Sequence, residues 1–446
     1  MQEVSALSDT ISLASLEKLG DFQKQSIRLL EHDVCFLFLH TLVDAHQTKQ
    51  QLFTWSAEAV TRAWDVEMLL VRIEGEAISS DQLTAALVNG MAILQFPDRA
   101  QYIQFVPIRK KFDRSITESQ TQSVVQGAQN SFTEDLNTNI ALLRKQSVTP
   151  ELIYRPVTLG THSKRSAAML YLEGTANPEL VDQVWQAIQK GAKLKHHTSQ
   201  SMLKTLQQKW WNPFPTVYST ELPHEATHLL QEGRVLVFLD QYPMAMAAPG
   251  LLQDAFGLAE DRNYPSIITY FFRIFRVIAF IIAITAPSLY VALIAVNPEV
   301  LRIQLALSIA QSREGVPYPA LVEVLLMMLV MELVMEASVR LPKSIGPTVT
   351  MVGGIVLGQA VVQAQLVSNL LIIVISAMTI ANFSIIGYQN AVAVRLVKYA
   401  LLIITTIYGL IGMIVGVAWC IAFISGMTTF GIPYLSIMKV KEGSHE

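Results

Sequence analysis

Apolar and polar positions are arranged in two different ways along this chain. Up to about residue 262 they alternate over short stretches broken by turn residues, whereas from 274 to 437 long apolar runs dominate. The first pattern predicts strands and amphipathic helices around soluble cores, and the second predicts spanning helices, which need about 20 apolar residues each. In the soluble part, GMAILQFPDRAQYIQFVPI (90–108) and GRVLVFLDQYPMAMAAPG (233–250) share one layout: glycine, strand, a turn with Pro and Asp, strand. Each follows a helical stretch, Ser80 to Val88 and Leu222 to Glu232. VCFLFLHTLVD (34–44) has a counterpart in AAMLYLEGTANPELV (167–181), so two related α/β units are expected. SFTEDLNTNIALLRKQ (131–146) reads as a helix between them, with Thr133 or Asp135 near its start.

In the second part, Val277 to Val296 is the first expected span, with Arg273 and Arg276 before it favouring a cytoplasmic start. Ala320 to Val339 follows, then a charge-free run from Ile345 to Ile386 that suffices for two spans with a turn at Ser368-Asn369. Tyr399 to Phe423, after Arg395 and Lys398, completes the set. About five crossings are expected, within a range of roughly four to six, and four if the acidic second stretch lies in the interface. The expected fold is therefore an α/β soluble region of two related subdomains followed by an all-α polytopic membrane domain. The boundaries are a tail at 1–29, subdomains at 30–150 and 151–262, the transmembrane domain at 263–438 and a tail at 439–446.

Composition supports that division: 51% of residues are hydrophobic and 15% charged, against about 25% charged in an average soluble domain. Net charge is −3, without a basic block that would suggest nucleic acid as a partner. Cys35 and Cys420 are too few for a disulfide framework or a four-cysteine zinc site, and read as small hydrophobes. The N-terminal stretch carries acidic residues and no early apolar segment, so it does not read as a secretory signal, and the soluble part is expected on the cytoplasmic side.

Two membrane features can carry chemistry. At about 100° per residue, Glu332, Glu336 and Arg340 fall in one stripe of the acidic helix and Glu323 on the opposite side. Ionisable groups at membrane depth suggest a cavity, pore or partner contact; a surface helix with a solvated acidic face is the alternative. The next span holds Thr350, the Gly354–Gly358 pair that permits close helix approach, and Gln359 and Gln363 one turn apart. Helix packing is the simpler reading of the glycines, and lining of a water-filled path the functional reading of the glutamines.

A third feature is His224-Glu225-x-x-His228, the two-histidine zinc signature of metalloproteases. Histidines at i and i+4 share a helix face and can hold zinc, with the glutamate activating its water. Here Leu222, Ala226, Leu229 and Leu230 form the core-facing stripe, which places the histidines toward solvent. Arg234 stands where an extended motif would need a third histidine. The motif reads as a decoy, with no metal and no cofactor expected. Neither a Gly-rich phosphate loop nor a nucleophile grouping occurs at a recognisable spacing, so the chain is expected not to be an enzyme.

From Arg313 the chain reads REGVPYP, then Glu323, Glu332, Glu336-Ala337, Arg340 to Lys343, Gly346 and Gly358-Gln359. This series closely resembles the GerA family of spore germination receptors, A-type subunit. FTEDLNTNIALLRK (132–145), DQYPMAMAAPG (240–250) and SLYVAL (288–293) fit as well. The resemblance implies a membrane protein of the spore inner membrane that acts with a transporter-like B subunit and a lipoprotein C subunit. It further implies a homo-oligomer whose ion path opens on nutrient binding, with Glu323, Glu332, Glu336, Arg340 and Lys343 as gating candidates. A paralogue resembling the stage V sporulation membrane protein AF, an accessory channel without nutrient sensing, is the second implied reading. The chain departs from the family at Gly127 to Phe132, where an arginine is missing. At Thr220 to His224 an arginine and an aspartate are missing, and His224 stands in the aspartate's place.

Overall fold

The computed structural model describes residues 16, 18–30, 32–96, 101–110, 130–160, 164–192, 199–206, 212–340, 354, 356 and 358–437. Lys343, Thr350 and Gly127 to Gln129 lie outside the described residues. The described chain falls into two compact units: one built from residues up to 206 and from Thr216 to Pro249, the other from Gly250 to Ile437 with 212–215.

The first unit contains two five-stranded sheets. The first half runs β1 (Phe22–Leu29), β2 (His32–Leu39), α1 (Ala45–Thr61), α2 (Val66–Arg72), β3 (Glu76–Ile78), α3 (Leu83–Val88), β4 (Ala92–Phe96) and β5 (Gln101–Phe105). After α4 (Leu136–Gln146) the second half follows the same course: β6 (Leu152–Leu159), β7 (Arg165–Leu172), α5 (Pro178–Ala192), α6 (Ser199–Leu206), β8 (Tyr218–Thr220), α7 (Pro223–Gln231), β9 (Val235–Leu239) and β10 (Ala245–Ala248). The sheet orders correspond, β1-β2-β4-β5-β3 and β6-β7-β9-β10-β8.

Every pairing is antiparallel. The α/β reading is corrected accordingly: β1–β2, β4–β5, β6–β7 and β9–β10 are hairpins, with no parallel strand pair among the described residues. In the second sheet, alternate residues Leu152 and Tyr154, Ala168 and Leu170, Leu236 and Phe238 share one buried face with Ile140 and Leu143 of α4 and Leu229 and Leu230 of α7. That period of two sets the register, because a one-residue slip would turn the whole set outward. Asp135 starts α4 by accepting the Thr138 N–H at 2.8 Å.

The second unit is helical: α8 (Ser266–Val291), continued through a π-helical segment Ala292–Val296, then α9 (Ile303–Ser312), α10 (Ala320–Arg340), α11 (Asn369–Phe383) and α12 (Tyr388–Ser425). Among the described residues two helices are long and apolar enough to cross a membrane, Ser266–Val296 and Tyr388–Ser425. The expected four to six crossings are thereby overturned. Three acidic residues on α10 make it too charged, and α11 has 15 residues, about 22 Å at 1.5 Å per residue, against an apolar bilayer core of about 30 Å. The two long helices also start earlier than the apolar runs suggest. They include Arg273, Arg276, Arg395 and Lys398, which the pattern places outside the spans.

Candidate functional site

The charged residues of the helical unit are gathered into ties between helices. Glu323 is 0% exposed on the first turn of α10. Its Oε1 accepts from Arg313 Nη2 at 2.7 Å and Nε at 3.1 Å, and its Oε2 accepts the Ser368 N–H at 3.1 Å. Ser368 is the N-cap of α11; its hydroxyl accepts the Leu371 N–H and lies 2.8 Å from the Tyr290 hydroxyl of α8. Arg313 also donates to the Tyr318 carbonyl at 3.2 Å. Between them Gly315 has φ +88°, and a Cβ there would stand 2.9 Å from Gln365 Oε1. The REGVPYP segment is thus a turn that delivers one guanidinium to one buried carboxylate and brings α8, α10 and α11 together.

Nine residues on, and so half a turn round the helix, Glu332 faces α12. Its carboxylate accepts from Arg395 Nη1 at 3.2 Å and Lys398 Nζ at 3.0 Å. Lys398 is 3% exposed, so this tie is shielded from water on the lysine side. Glu336 and Arg340 pair with each other at 2.5 Å with side chains 52% and 77% exposed, a surface pair of small worth. The structure therefore separates the acidic candidates: Glu323 and Glu332 hold helices together, and Glu336 with Arg340 remains at the surface. Cβ positions built at Gly354 and Gly358 meet none of the described residues within 4 Å, and Gln359 and Gln363 are exposed. At about 100° per residue the two glycines share one side of this stretch and the two amides the opposite side, and neither pair is covered by the described residues.

A further feature has no counterpart in the apolar pattern. Helix α12 is broken at Gly409, with φ +64° and ψ −146°. The Leu410 N–H that the break releases is accepted by Asn297 Oδ1 at 3.0 Å, from the end of the π-helical segment. A Cβ at position 409 would collide with that oxygen. Non-helical backbone at membrane depth requires such a substitute partner, because an unpaired group there costs several kcal/mol. Gly409→Ala is expected to lower thermal stability by about 1–3 kcal/mol from backbone strain alone, with displacement of Asn297 adding to it. An unchanged unfolding midpoint of the detergent-solubilised chain would refute this role.

The His-Glu-x-x-His segment occupies α7, which begins at Pro223. Glu225 is 7% exposed, and its carboxylate accepts from the Tyr218 hydroxyl at 2.7 Å and from the Thr220 hydroxyl of β8. It ties the helix to its own sheet and is not poised toward a metal-bound water. His224 and His228 are half-buried, not on an open face as the apolar stripe suggested, because α4 flanks the helix: Thr227 donates to Gln146 at 3.1 Å. His228 lies 3.5 Å from Glu232, and Arg234 is bonded to Glu232 and the Pro249 carbonyl. Among the described residues, no group of three His, Cys, Asp or Glu side chains is placed to hold a metal ion.

The sequence reading missed Tyr290, Asn297 and Gly409, and took Arg395 and Lys398 for a flank. Arg395 and Lys398, three apart on one face of a helix that contains no acidic residue, carried the signal of a partner elsewhere.

The family model of the Bacillus/Clostridium GerA spore germination protein matches residues 12–444. Spore germination protein GerQA of Bacillus cereus is 29% identical over 437 residues, covering 97% of this chain and 87% of that protein. Spore germination protein B1 of Bacillus subtilis (strain 168) is 33% identical over 331 residues, covering 74% and 68%. A crystal structure of the N-terminal domain of the A subunit of the Bacillus megaterium spore germinant receptor GerK3 aligns with TM-score 0.40 and 18% identity, over 55% of this chain and 93% of that one. The turn from Arg313 to Pro319, the acids it anchors and the Gly-Gln segment are thus parts of a chain that belongs to the GerA family of spore germination proteins.

Proposed function

We propose that this protein is the A subunit of a nutrient germinant receptor. In this reading its helical unit self-associates in the spore inner membrane and lines the ion path whose opening triggers germination. The observation that carries the proposal is the exposed amide face of Gln359 and Gln363, with Gly354 and Gly358 open on the opposite side of the same helical stretch. Small residues allow close approach of a second helix, and the amides satisfy each other or water without a charge. The ties at Glu323 and Glu332 hold the surrounding helices, and with them the amide face, in place. A transporter-like B subunit and a lipoprotein C subunit are the partners in this reading, and the two-sheet unit lies on the cytoplasmic, spore-core side.

The test uses a chain in which Cys35 and Cys420, both free, are replaced by serine, and Gln359 or Gln363 by cysteine. Oligomers reconstituted into a planar bilayer are expected to conduct, to cross-link through the new cysteine, and to lose conductance on reaction with a charged thiol reagent. Conductance that survives complete modification at both positions would remove this face from the ion path.

A further inference from the structure

Between α8, α9 and α11 the helical unit has a groove of about 290 Å3. Leu289, Leu293 and Ile294 form its α8 wall, Ile373 and Ala377 its α11 wall, and Ile309 of α9 completes the lining. Among the described residues that line it, Tyr290 alone has a polar side chain, and its hydroxyl is engaged with Ser368 at 2.8 Å. The groove thus offers a ligand apolar contacts and no free hydrogen-bonding side chain.

Its mouth lies on a surface that a bilayer would cover: Leu289 is 38% and Ile373 66% exposed. Helix α9 extends that surface. It has no buried residue, and Ile303, Leu305 and Leu307 are exposed. A helix of ten residues does not persist in water by itself, so an apolar phase is what α9 is suited to lie against. Arg302 is the N-cap residue of α9. It precedes Ile309 by seven residues, two turns or about 10 Å along the same side of the helix. Its exposed guanidinium has no partner among the described residues. The nearest acid along the chain, Glu299, is held by Asn297 Nδ2 at 3.0 Å.

We propose that this groove holds one acyl chain of a membrane phospholipid whose phosphate is bound by Arg302. An engineered apolar cavity of about 150 Å3 holds benzene, so roughly twice that volume takes about ten to twelve carbons of a chain. Apolar fit alone does not select such a ligand, because lipid tails are as apolar as leucine and a tail gains little by leaving its neighbours. Arg302 supplies the selection: a guanidinium donates to two phosphate oxygens at once, and basic residues at a membrane surface favour anionic lipids. Tyr290 lines the groove and bonds to the N-cap of α11, where the Glu323 carboxylate is also bound. A chain seated there packs α9 against the helices that this tie joins. The site needs only a membrane around the helical unit, and stands apart from the ion path.

Native mass spectrometry of the full chain, delipidated in detergent and titrated with dioleoylphosphatidylglycerol or with dioleoylglycerol, tests this. A single phosphatidylglycerol is expected to be retained per chain, and dioleoylglycerol, with the same tails and no phosphate, about fivefold more weakly. Arg302→Gln, at an exposed position, is expected to remove that preference while the unfolding midpoint stays within the range of surface substitutions. Ala377→Phe, which fills the groove from an exposed position on α11, is expected to weaken retention of both lipids. Equal retention of the two lipids by the unaltered chain, or phosphatidylglycerol retention unaffected by Arg302→Gln, would overturn the proposal. Unchanged lipid retention in Ala377→Phe would overturn it as well, and a simultaneous loss of self-association would assign the groove to a second copy of the chain.

Discussion

Replacing Glu323 by alanine is expected to destabilise the helical unit by about 3–5 kcal/mol, the range for breaking a buried ion pair from one side. Three donors lose their acceptor at once: Arg313 Nε, Arg313 Nη2 and the Ser368 N–H. Ser368 opens α11 and bonds to Tyr290, so the loss spreads to α8. Glu323→Gln retains an oxygen for the Ser368 N–H and gives up the ionic half, so an intermediate loss of about 1.5–3 kcal/mol is expected. Thermal unfolding of the full chain in detergent measures both, with the two-sheet unit's transition as the internal reference. Wild-type behaviour of Glu323→Ala would show that the carboxylate is not what holds these helices.

Asp21→Ala is expected to be as damaging in the other unit, again by about 3–5 kcal/mol, because it leaves the buried Arg144 charge without its carboxylate. Burial and the Asp21 carboxylate also push the Tyr154 phenol above its ordinary range, a sign of how little solvent reaches this junction. The double replacement Asp21→Leu/Arg144→Met should recover most of the loss, since an apolar pair of similar volume removes both desolvation costs. Denaturant unfolding of the double variant and of its two singles, Asp21→Leu and Arg144→Met, checks this. If the double variant is as unstable as the sum of the singles, the two residues do not act as a pair.

These two ties show what a linear reading can and cannot reach. Glu323 was legible as a charge out of place, and its half-turn offset from Glu332 follows from helix geometry alone. Its partner was quoted in the same motif, ten residues earlier, but nothing in that spacing says that the turn folds back to present Arg313. Asp21 and Arg144 are further apart, 123 residues, the first in a stretch that reads as a tail and the second in the helix between the two units. Neither stands out locally, since an aspartate before a strand and an arginine near a helix end are ordinary. The span count failed for a related reason. Apolar content measures how readily a segment leaves water, whereas length in one helix depends on where backbone breaks fall. The turn at Gln365 to Ser368 and the break at Gly409 are settled by contacts with Glu323 and Asn297.

The zinc signature is the reverse case, a motif legible in the sequence whose meaning the fold removes. Glu225 has the right spacing from two histidines, but Tyr218 and Thr220 occupy its oxygens. Spacing places side chains on one face of a helix; what that face meets depends on the sheet and on α4.

The sequence by itself determined the family, the division into a mixed part and an apolar part, and the strands and helices whose periodicity is strong. Those follow from local chemistry: alternation, caps, turns and a motif kept contiguous in the chain. Only the tertiary structure decided that both sheets are antiparallel, that two helices reach spanning length among the described residues, and which charge meets which. Pairing between distant residues depends on the path of the backbone between them, and that path is the sum of many weak contacts that no single stretch of sequence contains.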